Sequence, residues 1–336
     1  MRFILIILVS IGIFSCKKEP EKFKEPIQIA GSAFGTTFHI TYYDTLQRDF
    51  TKQIDSLFYL VNKSMSTYLP TSDISKINQG DTSIVVDAYF AEVFKKSRKI
   101  YEETNGIFDP TIGVLVNAWG FGPASSSEKP DSLMVKQLLK NLVGFDNVQL
   151  KNNKIVKTND SIYFDFNAIA KGYAGDVVGR YFEAKQLDNY LIEIGGEIRA
   201  RGIHEKKNTP WRVGIENPNF DGSRSYRKII FLKDKAMATS GSYRKFKIDS
   251  VTGKKYAHII NAKTGFPSKT NLLSVSVFST LDLADVDGYA TAFMAMSLEE
   301  VKEFLKQHQE LDVFIIYSDV EGNLKTFTDF NNEAVN

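Results

Sequence analysis

Residues 190–202 read Tyr190-Leu191-Ile192-Glu193-Ile194-Gly195-Gly196-Glu197-Ile198-Arg199-Ala200-Arg201-Gly202, and this stretch decides the fold class. Two short runs with apolar residues at every second position flank a Gly-Gly pair, the pattern of an antiparallel hairpin. The bare backbone of Gly195-Gly196 would equally let a flat ligand approach closely. Downstream, strand-like runs follow at 211–216, 226–232, 243–248, 256–260 and 272–278. Helical periodicity then covers about 282–296 and 298–308, before a last strand at 312–317. Upstream, the pattern predicts a strand over 36–43 and helices over 50–63, 91–104, 131–142 and 168–184. Helices first and antiparallel strands later predict an α+β fold rather than a doubly wound sheet.

Composition narrows the class without naming a function. The chain has 336 residues, 43% hydrophobic and 24% charged, which is ordinary globular composition. Lys and Arg number 42 against 40 Asp and Glu, so a net charge of +2 gives no global pull toward nucleic acid. The one long apolar segment is the N-terminus, where Met1-Arg2 is followed by Phe3 to Ser15 and then Cys16. That run is too short to span a bilayer, which takes roughly 20 residues, and matches a secretory signal. Ile13-Phe14-Ser15-Cys16 resembles a bacterial lipobox, in which the cysteine becomes the lipidated first residue of an exported protein. Cys16 is the only cysteine, so the mature chain has no thiolate left for an intrachain disulfide, a metal or a nucleophile. The expected organisation is a signal peptide over 1–15, a charged, Pro-bearing tether over 16–27 and a folded domain over 28–330.

Common catalytic motifs are missing. There is no GxxxxGK[ST] loop, no HExxH and no GxSxG. Gly120-Phe121-Gly122-Pro123-Ala124-Ser125 lacks the third glycine of a dinucleotide fingerprint and leads into a Ser/Pro-rich stretch. His39, His204, His258 and His308 are scattered, which argues against a His-rich zinc site.

Other segments carry possible chemistry. Asp165 to Asp176 runs from a strand end into a helix, with Asn167 as the expected N-cap and Lys171 one turn in. Free N–H groups beside a lysine make an anion site, though Ala168, Ala170 and Gly172 would also serve close packing. Asp287 and Thr291 stand at i and i+4 on one helix face, a pair of oxygen donors suited to Mg²⁺. Acidic residues in a first helical turn also favour the helix dipole without any metal. His258 closes a strand and could meet phosphate or move a proton. Phe108-Asp109-Pro110-Thr111 and Trp119 to Gly122 offer a carboxylate and aromatic faces, and Thr239-Ser240-Gly241-Ser242 reads as a hydroxyl-rich turn.

Together these segments resemble the ApbE family, the FAD:protein FMN transferases. The likeness runs in order through Gly31 to Thr37, Met65 to Tyr68, Phe108 to Gly122, Asp165 to Asp176, Ile192 to Gly202, Ala238 to Ser242, His258 to Gly265 and Asp287 to Ala292. The resemblance implies an α+β fold with FAD bound between a helical part and a β-rich part. It implies Mg²⁺-dependent cleavage of the FAD pyrophosphate, FMN transfer to threonine in a Ser-Gly-Ala-Thr-like segment of an exported protein, and release of AMP. By match, the metal ligands are the Ala168 carbonyl, Asp287 and Thr291. Flavin or phosphate contacts fall on Tyr68, Asp109, Lys171 and His258, with Gly195, Gly196, Ser240, Gly241 and Ser242 lining the site. Asp287, His258 and Lys171 become the catalytic candidates. Phe34 stands where the family often has methionine, and Asp285 is a reserve candidate for the metal carboxylate. An FAD pyrophosphatase and a flavin carrier without turnover are the competing functions.

Overall fold

The structure is a computed structural model that describes residues 25–125, 129–219, 221, 223, 225–242, 246–248 and 255–330. The expected signal segment, Cys16 and most of the tether lie outside these residues. A hairpin opens the described chain: β1 (Ile27–Ala33) begins at the last residue of the expected tether, and β2 (Thr36–Tyr42) returns. Its turn places Phe34 at φ 52 and Gly35 at φ 72, the left-handed pair that follows strand twist. Phe34 is held there edge-on to Phe58, with ring centroids 5.2 Å apart.

Helices then accumulate: α1 (Thr51–Met65), α2 (Asp73–Asn78), α3 (Ala88–Glu103), α4 (Gly113–Ala118) and α5 (Ser132–Leu142). Ser72, Asp87 and Asp131 cap α2, α3 and α5 by accepting from the N–H groups of Ser75, Phe90 and Met134. Each cap satisfies a donor that the helix itself leaves orphaned. A small hairpin, β3 (Val148–Lys151) with β4 (Lys154–Lys157), precedes α6 (Ala170–Ala184). Asn167 is not the cap of α6. The helix starts later, its cap position is Ile169, and the Asn167 N–H instead closes a turn onto Asp165 Oδ1 at 2.7 Å.

The remaining strands are β5 (Tyr190–Ile194), β6 (Glu197–Arg201), β7 (Trp211–Glu216), β8 (Tyr226–Leu232), β9 (Lys235–Gly241), β10 (Phe246–Ile248), β11 (Lys255–Ala257) and β12 (Leu272–Ser279). After them come α7 (Leu283–Met294), α8 (Leu298–Leu305), β13 (Asp312–Ser318) and β14 (Leu324–Asp329). The main sheet runs β1-β2-β5-β6-β9-β12-β13-β14, and each neighbouring pair is antiparallel. This is the expected α+β architecture. Three local expectations change. Residues 239–242 are not a free turn but mostly the end of β9. The strand expected over 256–260 stops at Ala257, before His258. β14 follows the strand expected to be last.

The two faces of the sheet are covered differently. On one face, Ile54 and Phe58 of α1, Phe182 of α6 and Leu283 of α7 pack with Ile40, Ile192, Val275 and Ile315. On the other, Trp211, Ile215, Ile230 and Leu232 of the β7–β8 hairpin cover Ile198, Met237, Phe314 and Ile316. Each such side chain contributes about 1.5–3 kcal/mol by leaving water. A smaller cluster of Leu115, Trp119, Val135 and Ile260 fixes α4 and α5 against the segment after β11.

Candidate active site

Three strand ends meet at one end of the sheet: the β1–β2 turn, the Gly195-Gly196 turn between β5 and β6, and the C-terminal end of β9. Register brings them together, with Phe38 opposite Ile194, Ile194 opposite Glu197 and Ile198 opposite Met237. Gly195 is needed twice over. Its φ is 63, and a Cβ there would lie 2.7 Å from Thr36 Cγ2. Its N–H donates to the Thr37 carbonyl at 3.0 Å, and the Gly196 N–H donates to Glu193 Oε1 at 2.7 Å. The turn is therefore rigid and presents backbone without side chains.

The start of α6 and the body of α7 lie against the same end. Gly172 permits this approach, since a Cβ there would sit 2.5 Å from the Leu283 carbonyl and 2.8 Å from Asp287 Cβ. The Gly172 N–H donates to Asp287 Oδ2 at 3.0 Å. In a regular helix that N–H would pair with the Ala168 carbonyl, which here is left without this donor. Lys171 Nζ stands 2.8 Å from Glu197 Oε1 and 3.9 Å from Asp287 Oδ2. One turn beyond Asp287, Thr291 Oγ1 is 3.2 Å from Ser240 Oγ at the end of β9. Lys171, Asp287, Thr291, Ser240 and the turn leading into Glu197 thus form one cluster, with Gly241 and Ser242 next along the chain.

Electrostatics of the cluster follow from burial. Glu197 is 3% exposed and Asp287 is 2% exposed. Loss of water pushes both carboxyls above their usual range, and the Lys171 ammonium pulls them back. Glu197 Oε2 is buried with no hydrogen-bond partner. The reserve candidate Asp285 lies elsewhere on α7, bound to Lys96 Nζ at 2.7 Å. Two residues on a helix differ by about 200°, so Asp285 and Asp287 face apart.

Tyr68, Asp109 and His258 occupy adjoining loops. Asp109 Oδ1 accepts from Thr111 N at 2.8 Å and from Thr111 Oγ1 at 2.6 Å. Burial pushes its carboxyl up to about 6. The Asp165 N–H donates to the Pro110 carbonyl at 2.8 Å, which ties this loop to the turn before α6. Asn167 Nδ2 reaches Thr67 Oγ1 at 3.4 Å, bringing the Met65–Tyr68 segment to the same turn. The Tyr68 ring is exposed, at 59%. His258, half-buried, faces the Phe121 ring edge-on, with centroids 6.4 Å apart.

Glu197 is the site residue that the sequence reading missed. In Glu197-Ile198-Arg199-Ala200-Arg201 the charged residues alternate with apolar ones, which reads as a solvated face. That face is instead covered by α6, where Arg199 meets Asp176. A carboxylate directly after the Gly-Gly turn was the available signal.

A lysine, two buried carboxylates, a hydroxyl pair and bare turn backbone thus gather at one end of the sheet of an α+β protein, a donor set whose chemistry suits an anionic ligand and a hard cation. The sequence model of the ApbE family matches residues 34–315, and the chain belongs to that family. The FAD:protein FMN transferase of Haemophilus influenzae is 33% identical over 331 residues, covering 94% of this chain and 92% of that one. The flavin transferase ApbE from Vibrio cholerae superposes with a TM-score of 0.80 at 33% identity, over 91% of this chain and 98% of that one. The apo form of the Pseudomonas stutzeri flavinyl transferase ApbE gives a TM-score of 0.81 at 25% identity, over 91% and 95% of the two chains.

Proposed function

We propose that this chain is an FAD:protein FMN transferase that uses Mg²⁺ and modifies a threonine in a Ser-Gly-Ala-Thr-like segment of an exported acceptor. One observation carries the reading: Lys171, Asp287, Thr291 and Ser240 converge at the start of α6 in a chain that matches a named FAD:protein FMN transferase over 94% of its length.

The donors at this point fit Mg²⁺. Asp287 supplies a carboxylate, Thr291 a hydroxyl, and Ala168 the carbonyl that Gly172 does not engage. Among the described residues no group of three or more His, Cys, Asp or Glu side chains is arranged to hold a metal ion. A cation at Asp287 would be held by that carboxylate with substrate phosphate and water. Bound there, Mg²⁺ supplies Lewis-acid stabilisation of charge on the pyrophosphate.

The chain's own groups do the rest. The Lys171 ammonium binds phosphate oxygens and offsets negative charge as the P–O bond to AMP breaks. The first turn of α6 adds no free anion site of the kind expected, because the N–H groups of Ala170, Gly172 and Tyr173 already donate to Phe166, Asp287 and Ile169. The Gly195-Gly196 turn and the Ser240 to Ser242 segment admit the nucleotide without side-chain obstruction. Tyr68, Asp109 and Phe121 border the flavin end. The threonine oxygen bonds to the FMN phosphorus, AMP leaves, and the hydroxyl proton passes to a base. Asp287 is already committed to the Gly172 N–H and to the cation, and we assign the base to His258, an imidazole suited to taking a proton near neutrality.

The test is an incubation with FAD, Mg²⁺ and a protein carrying a Ser-Gly-Ala-Thr segment, followed by denaturing electrophoresis. A fluorescent acceptor band that EDTA abolishes is the expected result. AMP and free FMN with a dark acceptor would mean an FAD pyrophosphatase, and intact bound FAD would mean a carrier.

We further propose export and anchoring through Cys16. The charged Arg2, the apolar run to Ser15 and the lipobox-like Ile13 to Cys16 support it. Among the described residues no helix is long and apolar enough to cross a membrane. Cys16→Ala is expected to move the protein from the membrane fraction to the soluble fraction with its transferase activity intact. Retention in membranes would contradict the anchor.

A further inference from the structure

We infer that Glu197 is a positioning residue that holds Lys171 away from Asp287, so that Asp287 stays available to a divalent cation. The inference rests on the metal reading proposed above. Lys171 faces two buried carboxylates and divides itself unequally between them. Its Nζ is 2.8 Å from Glu197 Oε1, a charge-assisted hydrogen bond, and 3.9 Å from Asp287 Oδ2, beyond hydrogen-bond reach. An ammonium and a divalent cation at Asp287 compete for the same oxygens. The position of Lys171 decides that competition in the cation's favour.

The fold makes Glu197 suited to this task. It is the first residue of β6, directly after the rigid Gly195-Gly196 turn, and α6 covers it to 3% exposure. Its Oε2 is buried without a hydrogen-bond partner. Keeping a carboxyl in the interior with one oxygen unused costs stability. What it does supply is a hydrogen-bond partner for Lys171 other than Asp287, 2.8 Å from the ammonium. With that partner removed, Asp287, at 3.9 Å, stays within a short swing of the ammonium.

Mn²⁺ is the probe for the test, titrated calorimetrically into detergent-solubilised full-length protein with FAD present. Glu197→Gln is expected to weaken Mn²⁺ binding on the order of 10-fold. Adding Lys171→Met to that variant removes the competing ammonium and is expected to bring Mn²⁺ affinity back toward the wild-type value. A merely structural role for Glu197 would not give this recovery, because the second substitution restores no packing. Should Glu197→Gln fail to fold, Glu197→Asp keeps the charge but shortens its reach, with a smaller loss of Mn²⁺ affinity expected.

Wild-type Mn²⁺ affinity in the Glu197 variants would overturn the inference, as would a double variant that binds no better than Glu197→Gln. Asp287→Ala in the same titration separates this from failure of the metal reading. If Asp287→Ala binds Mn²⁺ like wild type, the metal reading itself fails. If it loses Mn²⁺ while Glu197→Gln does not, only the role of Glu197 fails.

Discussion

Asp287→Ala is expected to lower kcat for FMN transfer by about 10³-fold or more, a loss of about 4 kcal/mol of transition-state stabilisation. The side chain is buried at the junction of α6 and α7, where it accepts the Gly172 N–H at 3.0 Å and faces Lys171 at 3.9 Å. Its removal takes away the carboxylate proposed for the cation and orphans one N–H, the latter costing about 1–3 kcal/mol of stability. The Lys171–Glu197 pair and the packing around α7 remain, so the variant folds. Asp285→Ala is the matched control, because Asp285 binds Lys96 and faces away from the site. It is expected to keep kcat within a few-fold of wild type, because it removes a buried ion pair that faces away from Asp287 and so costs stability rather than rate. Comparable activity of Asp287→Ala and wild type in saturating Mg²⁺ would remove Asp287 from the mechanism.

The largest stability effect is expected at Asp176. This α6 residue is fully buried and accepts from the N–H groups of Leu283 at 2.9 Å and Ala284 at 2.8 Å. It also pairs with Arg199, which β6 projects onto the same helix. The start of α7 has no cap from its own N-cap residue, Asp282, whose carboxylate instead takes Lys96, Arg180 and Arg199. Asp176 therefore caps α7 from a neighbouring helix and ties α6, β6 and α7 together. Asp176→Ala leaves two helix N–H groups and part of a guanidinium charge unpaired in the interior, a cost of about 3–5 kcal/mol. Urea unfolding followed by far-UV circular dichroism measures it. A loss below about 1 kcal/mol would show that α7 is held by its apolar packing alone.

Much of the fold was legible because its long elements advertise themselves. The periodicity of 168–184 and 282–296 and the hairpin at 190–202 placed both helices and the turn that frame the site. Short or unusual elements were not legible. α2 and α4 are each 6 residues, less than two turns, so no apolar stripe can emerge. β1 contains Ala30-Gly31-Ser32-Ala33, and β9 contains Ala236, Ala238, Ser240 and Gly241, residues with weak strand preference. β9 is nonetheless central, paired with both β6 and β12. Its small side chains let α7 lie close enough for Thr291 to meet Ser240. Tertiary packing overrides local preference there.

The site shows the same division. Asp287 and Thr291 declare themselves by helical spacing, and Gly195-Gly196 by its turn chemistry. Glu197 does not, since its burial depends on α6 crossing a strand face whose sequence looks solvated. The cap at Asp176 is equally silent, because it joins residues more than a hundred positions apart.

The central claim is that FMN passes directly from FAD to a threonine, and the stoichiometry of a single reaction mixture tests it most directly. AMP released and FMN covalently attached to the acceptor are quantified together, with a Thr→Val acceptor run alongside. The account predicts AMP and threonine-bound FMN in equal amounts, with both lost for the valine acceptor. AMP released in step with free FMN, unchanged by the valine substitution, would contradict it.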